Sequence, residues 1–287
     1  MDLIKSLNCR GKLLTLDRPR IMGILNLTPD SFSDGGQYNK DATALVRVAQ
    51  MLTEGAEIID IGGYSSRPFA PEVSEQEELD RVYGITEQIL TQYPEALISI
   101  DTYRPGVARQ MLDLGVHIIN DISAGTAMGE GQASMLEVVS SYGNVPYIMM
   151  HMQGTPRTMQ VNPSYEHVVE EIWDFFVEKI GFAREAGIKD VVIDPGFGFG
   201  KKIEHNYLIW AKLGELMKLE LPMLVGVSRK SMMYKLFNTT PDDVVDLTGI
   251  LHFRSLEAGA NLLRVHDVKE ARRVVDLYQY LRGHEII

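Results

Sequence analysis

The sequence contains a single cysteine, Cys9, among its 287 residues. One thiol cannot form a disulfide bond within the chain, and so low a cysteine content is typical of proteins from a reducing compartment. We therefore interpret Cys9 as an incidental thiol near a flexible end of the chain. Residues 1–12 have neither the apolar segment nor the small-residue cleavage pattern of a secretory signal, so we expect a cytoplasmic protein.

Long apolar runs and an excess of positive charge are also missing. No run approaches the roughly 18 apolar residues that a membrane-spanning helix needs, so no membrane association is expected. The 28 Lys and Arg residues are outnumbered by 39 Asp and Glu residues, which gives a formal net charge of −11. This charge argues against nucleic acid or an anionic membrane as the main partner, and we expect small-molecule substrates.

The short motifs of several large enzyme classes are absent as well. The sequence has no G-x-x-x-x-G-K-[ST] phosphate loop, no H-E-x-x-H, no C-x-x-C and no G-x-S-x-G. The glycines at 196, 198 and 200 do not follow G-x-G-x-x-G, and bulky Phe197 lies between two of them. These absences argue against NTPases, dinucleotide-binding folds, zinc enzymes and serine hydrolases.

What the sequence does contain is one unit repeated eight times: an apolar run ending in a polar residue, a glycine- or proline-rich loop, and a helical pattern. Residues 191–201, VVIDPGFGFGK, show the strand and loop of such a unit. The polar residues at the ends of the runs, spaced 20 to 43 residues apart, are Asn26, Asp60, Asp101, Asp121, His151, Asp194, Ser228 and Arg264.

This alternation predicts one α/β domain, a (β/α)₈ barrel over residues 1–287, in which residues 1–19 form a short covering segment. A doubly wound open sheet would show the same alternation and stays as the alternative. Among the helices, Ser74 and Glu77 predict a capping box, and Pro105 and Gly115 are typical start and stop residues.

If the barrel closes, polar side chains of mixed charge converge at the carboxyl ends of its strands. One such aspartate alone is more simply a helix cap or turn former. Together the amides, acids and cations suit a flat heterocycle with donors and acceptors, plus an anion. The converging residues are Asn26, Asp60, Asp101, Asn120, Asp194, Ser228, Lys230, Arg264 and His266.

Eight motifs that span the chain resemble those of the dihydropteroate synthase family. They are MGILNLTPDSFSDGG (22–36), GGYSSRP (62–68), IDTYRP (100–105), IINDISA (118–124), MHMQGTP (150–156), IDPGFGFGK (193–201), GVSRKS (226–231) and RVHD (264–267). The resemblance implies a barrel enzyme of folate synthesis that joins a dihydropterin methyl pyrophosphate to 4-aminobenzoate. It also implies Mg²⁺ as cofactor, a homodimer and a sulfonamide target.

The resemblance also implies roles for individual residues. Pterin-binding positions are Asp101, Asn120, Asp194, Lys230 and Arg264, and pyrophosphate-binding positions are Asn26, Ser66, Arg67, Arg264 and His266. Asn26 would be the Mg²⁺ ligand. The positions expected around 4-aminobenzoate are Phe32, Ser66, Arg67, Pro68, Gly196, Phe197, Ser228 and Lys230.

Asp101, Lys230 and Arg264 are the expected catalytic residues. Asp101 would stabilise positive charge on the methylene carbon as pyrophosphate leaves, in a carbocation-like step. The loops at 27–39 and 63–73 would close over the substrates to exclude water.

The motif at 62–70, GGYSSRPFA, departs from the family's commoner GGESTRPGA. Tyr64 replaces a carboxylate, and Phe69 adds bulk beside the expected 4-aminobenzoate site.

Two other functions stay open: a pterin-binding barrel that passes a methyl group from a folate to a corrinoid protein, and a non-catalytic homologue. The Ser-Arg-Lys motif speaks against the first, and the presence of Asn26, Asp101 and Lys230 speaks against the second.

Overall fold

Eight parallel strands surround a common axis in the computed structural model, which describes residues 5–28, 37–65, 71–127 and 133–287. Numbered after two N-terminal strands, they are β3 (Arg20–Asn26), β4 (Ile58–Gly62), β5 (Leu97–Asp101), β6 (Ile118–Asp121), β7 (Tyr147–Met150), β8 (Val191–Asp194), β9 (Leu224–Val225) and β10 (Leu262–Val265). Neighbouring strands in the sheet follow the order β8-β7-β6-β5-β4-β3-β10-β9.

A parallel bridge between Ile193 and Met223 joins β8 to the residue before β9, and this bridge closes the ring of strands. The predicted (β/α)₈ barrel is therefore confirmed, and the open-sheet alternative is excluded. The predicted seventh strand, residues 223–227, is shorter than expected, because only Leu224 and Val225 pair with β10, and the chain turns at Ser228 and Arg229.

The helices lie between the strands, as the crossover connections of a parallel sheet require. They are α1 (Gln37–Thr53), α2 (Glu75–Gln92), α3 (Pro105–Leu114), α4 (Met135–Ser141), α5 (Val168–Glu185), α6 (Ile203–Ala211), α7 (Leu213–Leu216), α8 (Ser231–Tyr234), α9 (Val245–Glu257) and α10 (Val268–Gly283). The predicted capping box is present, since Ser74 and Glu77 exchange hydrogen bonds at the start of α2. Gly115 ends α3 with φ of 115°, a left-handed conformation that glycine adopts at little cost.

A hairpin of β1 (Ser6–Cys9) and β2 (Lys12–Thr15) covers the N-terminal end of the barrel. Its turn residues, Arg10 and Gly11, both have positive φ, as a two-residue type I′ turn requires. The buried hairpin residues pack against the first inward-facing residue of each barrel strand. This lower core consists of Leu7, Cys9, Leu14, Leu16, Met22, Ile58, Leu97, Ile118, Ile148, Val192, Leu224 and Leu262.

Cys9 is fully buried in this lower core, so its interpretation as an incidental thiol near a flexible end is wrong. Burial raises the pKa of its thiol to about 12, which keeps it in the unreactive protonated form. The alternation of Leu7 and Cys9 on one face of β1 was visible in the sequence, but the pairing that buries them was not. Within the described ranges, no helix has the length and apolar character needed to span a bilayer.

Candidate functional site

A network of charged side chains crosses the barrel near the carboxyl ends of β4, β5 and β10. The Arg264 Nε donates to Asp60 Oδ2 at 2.6 Å, and its Nη2 donates to Asp101 Oδ2 at 2.7 Å. Asn120 Nδ2 donates to the same Asp60 oxygen at 3.1 Å. One guanidinium therefore bridges two acids that are contributed by neighbouring strands.

Because these side chains are buried, the charge of each one shifts the pKa of its neighbours. The pKa of Asp101 is raised, because burial and the nearby Asp60 and Glu78 outweigh the attraction of Arg264 and the hydrogen bond from Tyr64. Burial lowers the pKa of Arg264, but Asp60 and Asp101 raise it further, to above its ordinary value. The guanidinium thus stays charged while it bridges the two acids.

Asp194 ends β8 and faces the same interior space. Its Oδ1 accepts a hydrogen bond of 2.8 Å from the Gly196 N–H. A Cβ on Gly226 would lie 4.0 Å from both Asp194 Oδ2 and Arg264 Cβ, so the missing side chain at Gly226 leaves room between these groups. Burial raises the pKa of Asp194 in spite of the nearby Lys230, Arg264 and Lys201. A ligand that offered paired N–H donors would therefore stabilise its charged form.

Lys230 lies at the mouth of this space, with its Nζ 4.3 Å from the centre of the Phe199 ring. Burial and Arg264 lower its pKa to about 8, and Asp194 and Asp101 oppose this change. The ammonium thus interacts with both acids, and its aliphatic stem lies 3.5 Å from where a Cβ on Gly198 would be. Phe199 and Lys230 together form an aromatic and cationic wall.

The structure corrects the expected aromatic residue of this wall. Phe197 is only 1% exposed and belongs to the main hydrophobic core, so its ring is not presented at the opening. Gly196 and Gly198 have φ of 70° and 83°, and these turns direct the two phenylalanines differently. Phe199 is partly exposed, and it is the aromatic side chain beside Lys230.

His266 and Ser228 lie together at the ends of β10 and β9. The Ser228 Oγ is 3.1 Å from both the His266 Nδ1 and the His266 backbone nitrogen. Burial, followed by Arg264, Lys230 and Arg229, lowers the pKa of His266 to about 3, so the ring is neutral and can donate one N–H. Arg229 itself is paired with Asp267 through two contacts of 2.8 and 2.6 Å, which turn it away from the interior.

Asn26 and Asp101 face each other across Gly62. A Cβ on Gly62 would lie 3.7 Å from Asn26 Oδ1 and 3.8 Å from Asp101 Oδ2, so the glycine keeps this space open. Within the described ranges, no three His, Cys, Asp or Glu side chains are grouped so that they could hold a metal. The oxygen donors at Asn26 and Asp101 nevertheless suit Mg²⁺, which takes few protein ligands and keeps waters or phosphate oxygens.

The predicted residues divide into three groups. Asn26, Asp101, Asn120, Asp194, Gly196, Ser228, Lys230, Arg264 and His266 lie at the carboxyl ends of the strands and the loops that follow. Phe197 is turned into the core. Phe32, Ser66, Arg67 and Pro68, with most of the two expected lid loops, lie outside the described residues.

Two further side chains belong to this region, and the sequence did not assign them. The Tyr64 hydroxyl donates to Asp101 Oδ1 at 3.4 Å, and the buried Lys201 contacts His151. For Tyr64, the sequence did offer an indication, because this position departs from the family's commoner motif. For Lys201, the last residue of VVIDPGFGFGK, only its place in the motif could have drawn attention to it.

The chain is similar over nearly its whole length to proteins of one family. Residues 22–266 match the family model described as pterin binding enzyme. The chain is 46% identical over 274 residues to the dihydropteroate synthase of Escherichia coli strain K12, and the alignment covers 93% of this chain and 94% of that protein.

Two solved structures have the same fold. The dihydropteroate synthase of Yersinia pestis, in a sulfonamide drug complex, has a TM-score of 0.90 at 43% identity and covers 97% of this chain and 100% of its own. The Xanthomonas albilineans dihydropteroate synthase with 4-aminobenzoic acid has a TM-score of 0.90 at 39% identity, covering 98% and 99%.

Proposed function

The chain belongs to the family of pterin-binding enzymes, and from this membership we infer that it catalyses the dihydropteroate synthase reaction. It condenses 6-hydroxymethyl-7,8-dihydropterin pyrophosphate with 4-aminobenzoate and forms 7,8-dihydropteroate and pyrophosphate, a step of folate biosynthesis. The observation that carries this conclusion is the 46% identity over nearly the full length of both chains. The polar strand ends supply the chemistry that these two substrates need.

The interior acids and amides would hold the pterin ring. Its edge presents an amino group and a ring N–H side by side, and the carboxylate of Asp194 can accept both. Asn120 adds an amide at the same depth of the barrel, and Lys230 can donate to the ring carbonyl and nitrogen. Arg264 presents a planar guanidinium that can stack on the ring and still reach an anion.

Asp101 would act where the C–O bond to pyrophosphate breaks. The leaving group takes the bonding electron pair, so positive charge builds on the methylene carbon, and a fixed carboxylate stabilises it. The neutral aniline nitrogen then attacks this carbon and loses a proton to solvent or phosphate. Since that amine is already neutral near pH 7, the site needs no strong base.

Anionic groups of both substrates meet cations and donors at the rim. Asn26, Arg264 and His266 would contact the pyrophosphate, together with Ser66 and Arg67. Bound Mg²⁺, held by Asn26 with Asp101 facing it, would neutralise charge on the leaving pyrophosphate. Phe199 and Lys230 would form the described part of the 4-aminobenzoate site, with Gly196 and Ser228 beside them.

The reaction itself provides the test. Incubation with both substrates and Mg²⁺ should yield dihydropteroate and pyrophosphate in equal amounts, and chelation of Mg²⁺ should stop both. In Asp101→Ala, kcat should fall by about 100-fold or more while pterin affinity changes by less than about tenfold. The exposed Asp80→Ala is the control and should retain activity. Absence of product from the unmodified protein would remove the proposal.

A homodimer and a sulfonamide-binding site are further parts of the proposal. Leu236, Phe237, Ile250, Leu277 and Tyr280, on or beside α8, α9 and α10, are all more than half exposed. Apolar exposure of this kind on packed neighbouring helices is typical of a subunit interface.

The similar Yersinia pestis protein was crystallised with a sulfonamide, which suggests the same target class here. A cytoplasmic location stays a prediction, supported by the single cysteine.

A further inference from the structure

Lys201 is a buried cation to which the proposed reaction gives no role. It follows the glycine-rich loop at 195–200 and is only 3% exposed. Its Nζ contacts four acceptors: the His151 Nδ1 at 2.9 Å, the His151 carbonyl at 3.2 Å, and the carbonyls of Gly196 and Phe199 at 2.9 Å each. Four acceptors around one ammonium group satisfy all of its N–H donors.

These contacts join two segments of the barrel rim. His151 directly follows β7, and Gly196 and Phe199 belong to the loop that follows β8. The same loop supplies the Gly196 N–H that holds Asp194 and the Phe199 ring that lies under Lys230. Lys201 is therefore connected to the proposed site through the backbone of this loop.

The loop packs so closely that its position depends on small residues and on this cation. A Cβ on Gly196 would lie 2.0 Å from the His151 carbonyl oxygen, and one on Gly200 would lie 2.4 Å from the Gln153 carbonyl oxygen. Carbonyl oxygens brought together in this way repel one another unless a positive group lies between them. The ammonium of Lys201 provides that charge.

The contacts of Lys201 also determine the protonation state and the tautomer of His151. Burial and the neighbouring Lys201 lower the pKa of His151 to about 2, so the ring is neutral. Because its Nδ1 accepts from the ammonium, its proton must lie on Nε2. Burial lowers the pKa of Lys201 to about 7 against the attraction of Asp194, while the four acceptors favour its charged form.

We propose that Lys201 is a positioning residue: through His151 it fixes the loop at 195–200 so that Phe199 is held in the 4-aminobenzoate site. The inference rests on the proposed function. It predicts that loss of the ammonium weakens use of 4-aminobenzoate more than use of the pterin, because the backbone of Asp194 is paired with Met150 in the sheet, whereas Phe199 lies in the loop alone.

Lys201→Ala, assayed with both substrates, tests the proposal. The KM for 4-aminobenzoate should rise about tenfold, while the KM for the pterin pyrophosphate should change less than about threefold. Added n-propylammonium, which replaces the missing atoms, should restore the lower KM, and n-propanol should not. The neighbouring Lys202 is exposed, so Lys202→Ala is the matched control and should behave as the unmodified protein.

Lys201→Met keeps an unbranched apolar stem without the charge and should show the same change in KM if Lys201→Ala does not fold. The ¹⁵N spectrum of the unmodified protein should show His151 as neutral with its proton on Nε2, which needs no variant. A proton on Nδ1, or equal changes in both KM values, would overturn the proposal. Failure of the unmodified protein to form product would instead refute the proposed reaction.

Discussion

Tyr64 is the residue at which this chain departs most informatively from the family's commoner motif. Its hydroxyl donates to Asp101 Oδ1 at 3.4 Å, and its ring meets the Tyr103 ring edge-on, with centroids 5.1 Å apart. The side chain is 9% exposed, and burial raises the pKa of its hydroxyl well above the ordinary value, so it remains a donor. Tyr64 thus orients a carboxylate that the proposed mechanism uses.

Removal of this hydroxyl should therefore slow the reaction without disturbing the fold. In Tyr64→Phe the ring contact with Tyr103 is kept, and a long hydrogen bond worth about 1 kcal/mol is lost. We expect kcat to fall about fivefold and the KM for the pterin to change less than about twofold. Steady-state kinetics check this, with Tyr83→Phe on the exposed face of α2 as the control. An unchanged kcat would show that the contact does not influence Asp101.

His117, directly before β6, links this strand to β5 beneath the site. Its ring Nδ1 accepts a hydrogen bond of 3.1 Å from the Ile98 backbone N–H, and the His117 backbone N–H donates to the Ile98 carbonyl at 3.0 Å. Burial, followed by Lys12 and Arg10, lowers the pKa of His117 from 6.5 to about 4. The ring is therefore neutral in the folded chain at pH values where it is charged in the unfolded chain.

This difference predicts a pH-dependent stability. Between pH 6.5 and about 4 the unfolded state binds a proton at His117 that the folded state does not. The free energy of unfolding therefore decreases as the pH falls through this range. In His117→Gln, which cannot titrate, the stability deficit relative to the unmodified protein should shrink by roughly 1 to 2 kcal/mol between pH 7 and pH 5. Urea unfolding at the two pH values measures this. A constant deficit would contradict the assignment.

For the whole molecule, the exposed apolar residues around α9 and α10 predict association. Ile250 is 62% exposed, and α9 packs against α10, which carries the exposed Leu277 and Tyr280. Light scattering should give about twice the chain mass of 32.2 kDa. Ile250→Glu would bury a charge in the interface and should give the single-chain mass. Val46 on α1 is 69% exposed, and Val46→Glu should stay dimeric. A single-chain mass for the unmodified protein would refute the dimer.

Much of this architecture could be predicted because its signals are local. Polar residues after apolar runs, capping pairs such as Ser74 and Glu77, and glycines such as Gly115 identify strands and helices from neighbouring residues alone. Eight such units in sequence predict a barrel, and the motifs at its strand ends identify the family. The gathering of the strand-end side chains at one end of the barrel could also be predicted, since the carboxyl ends of parallel strands meet on one side.

Only the tertiary structure decided how these groups contact one another. Arg264 bridges Asp60 and Asp101, residues far apart in sequence, because the sheet places β10 beside β3 and brings β4 and β5 next in order. The sequence could not show which of Phe197 and Phe199 faces the site. The glycines between and beside them have positive φ, so no regular periodicity relates the directions of the two side chains. Strand alternation predicts which side chains share a face, whereas partners across the barrel depend on how separate elements pack.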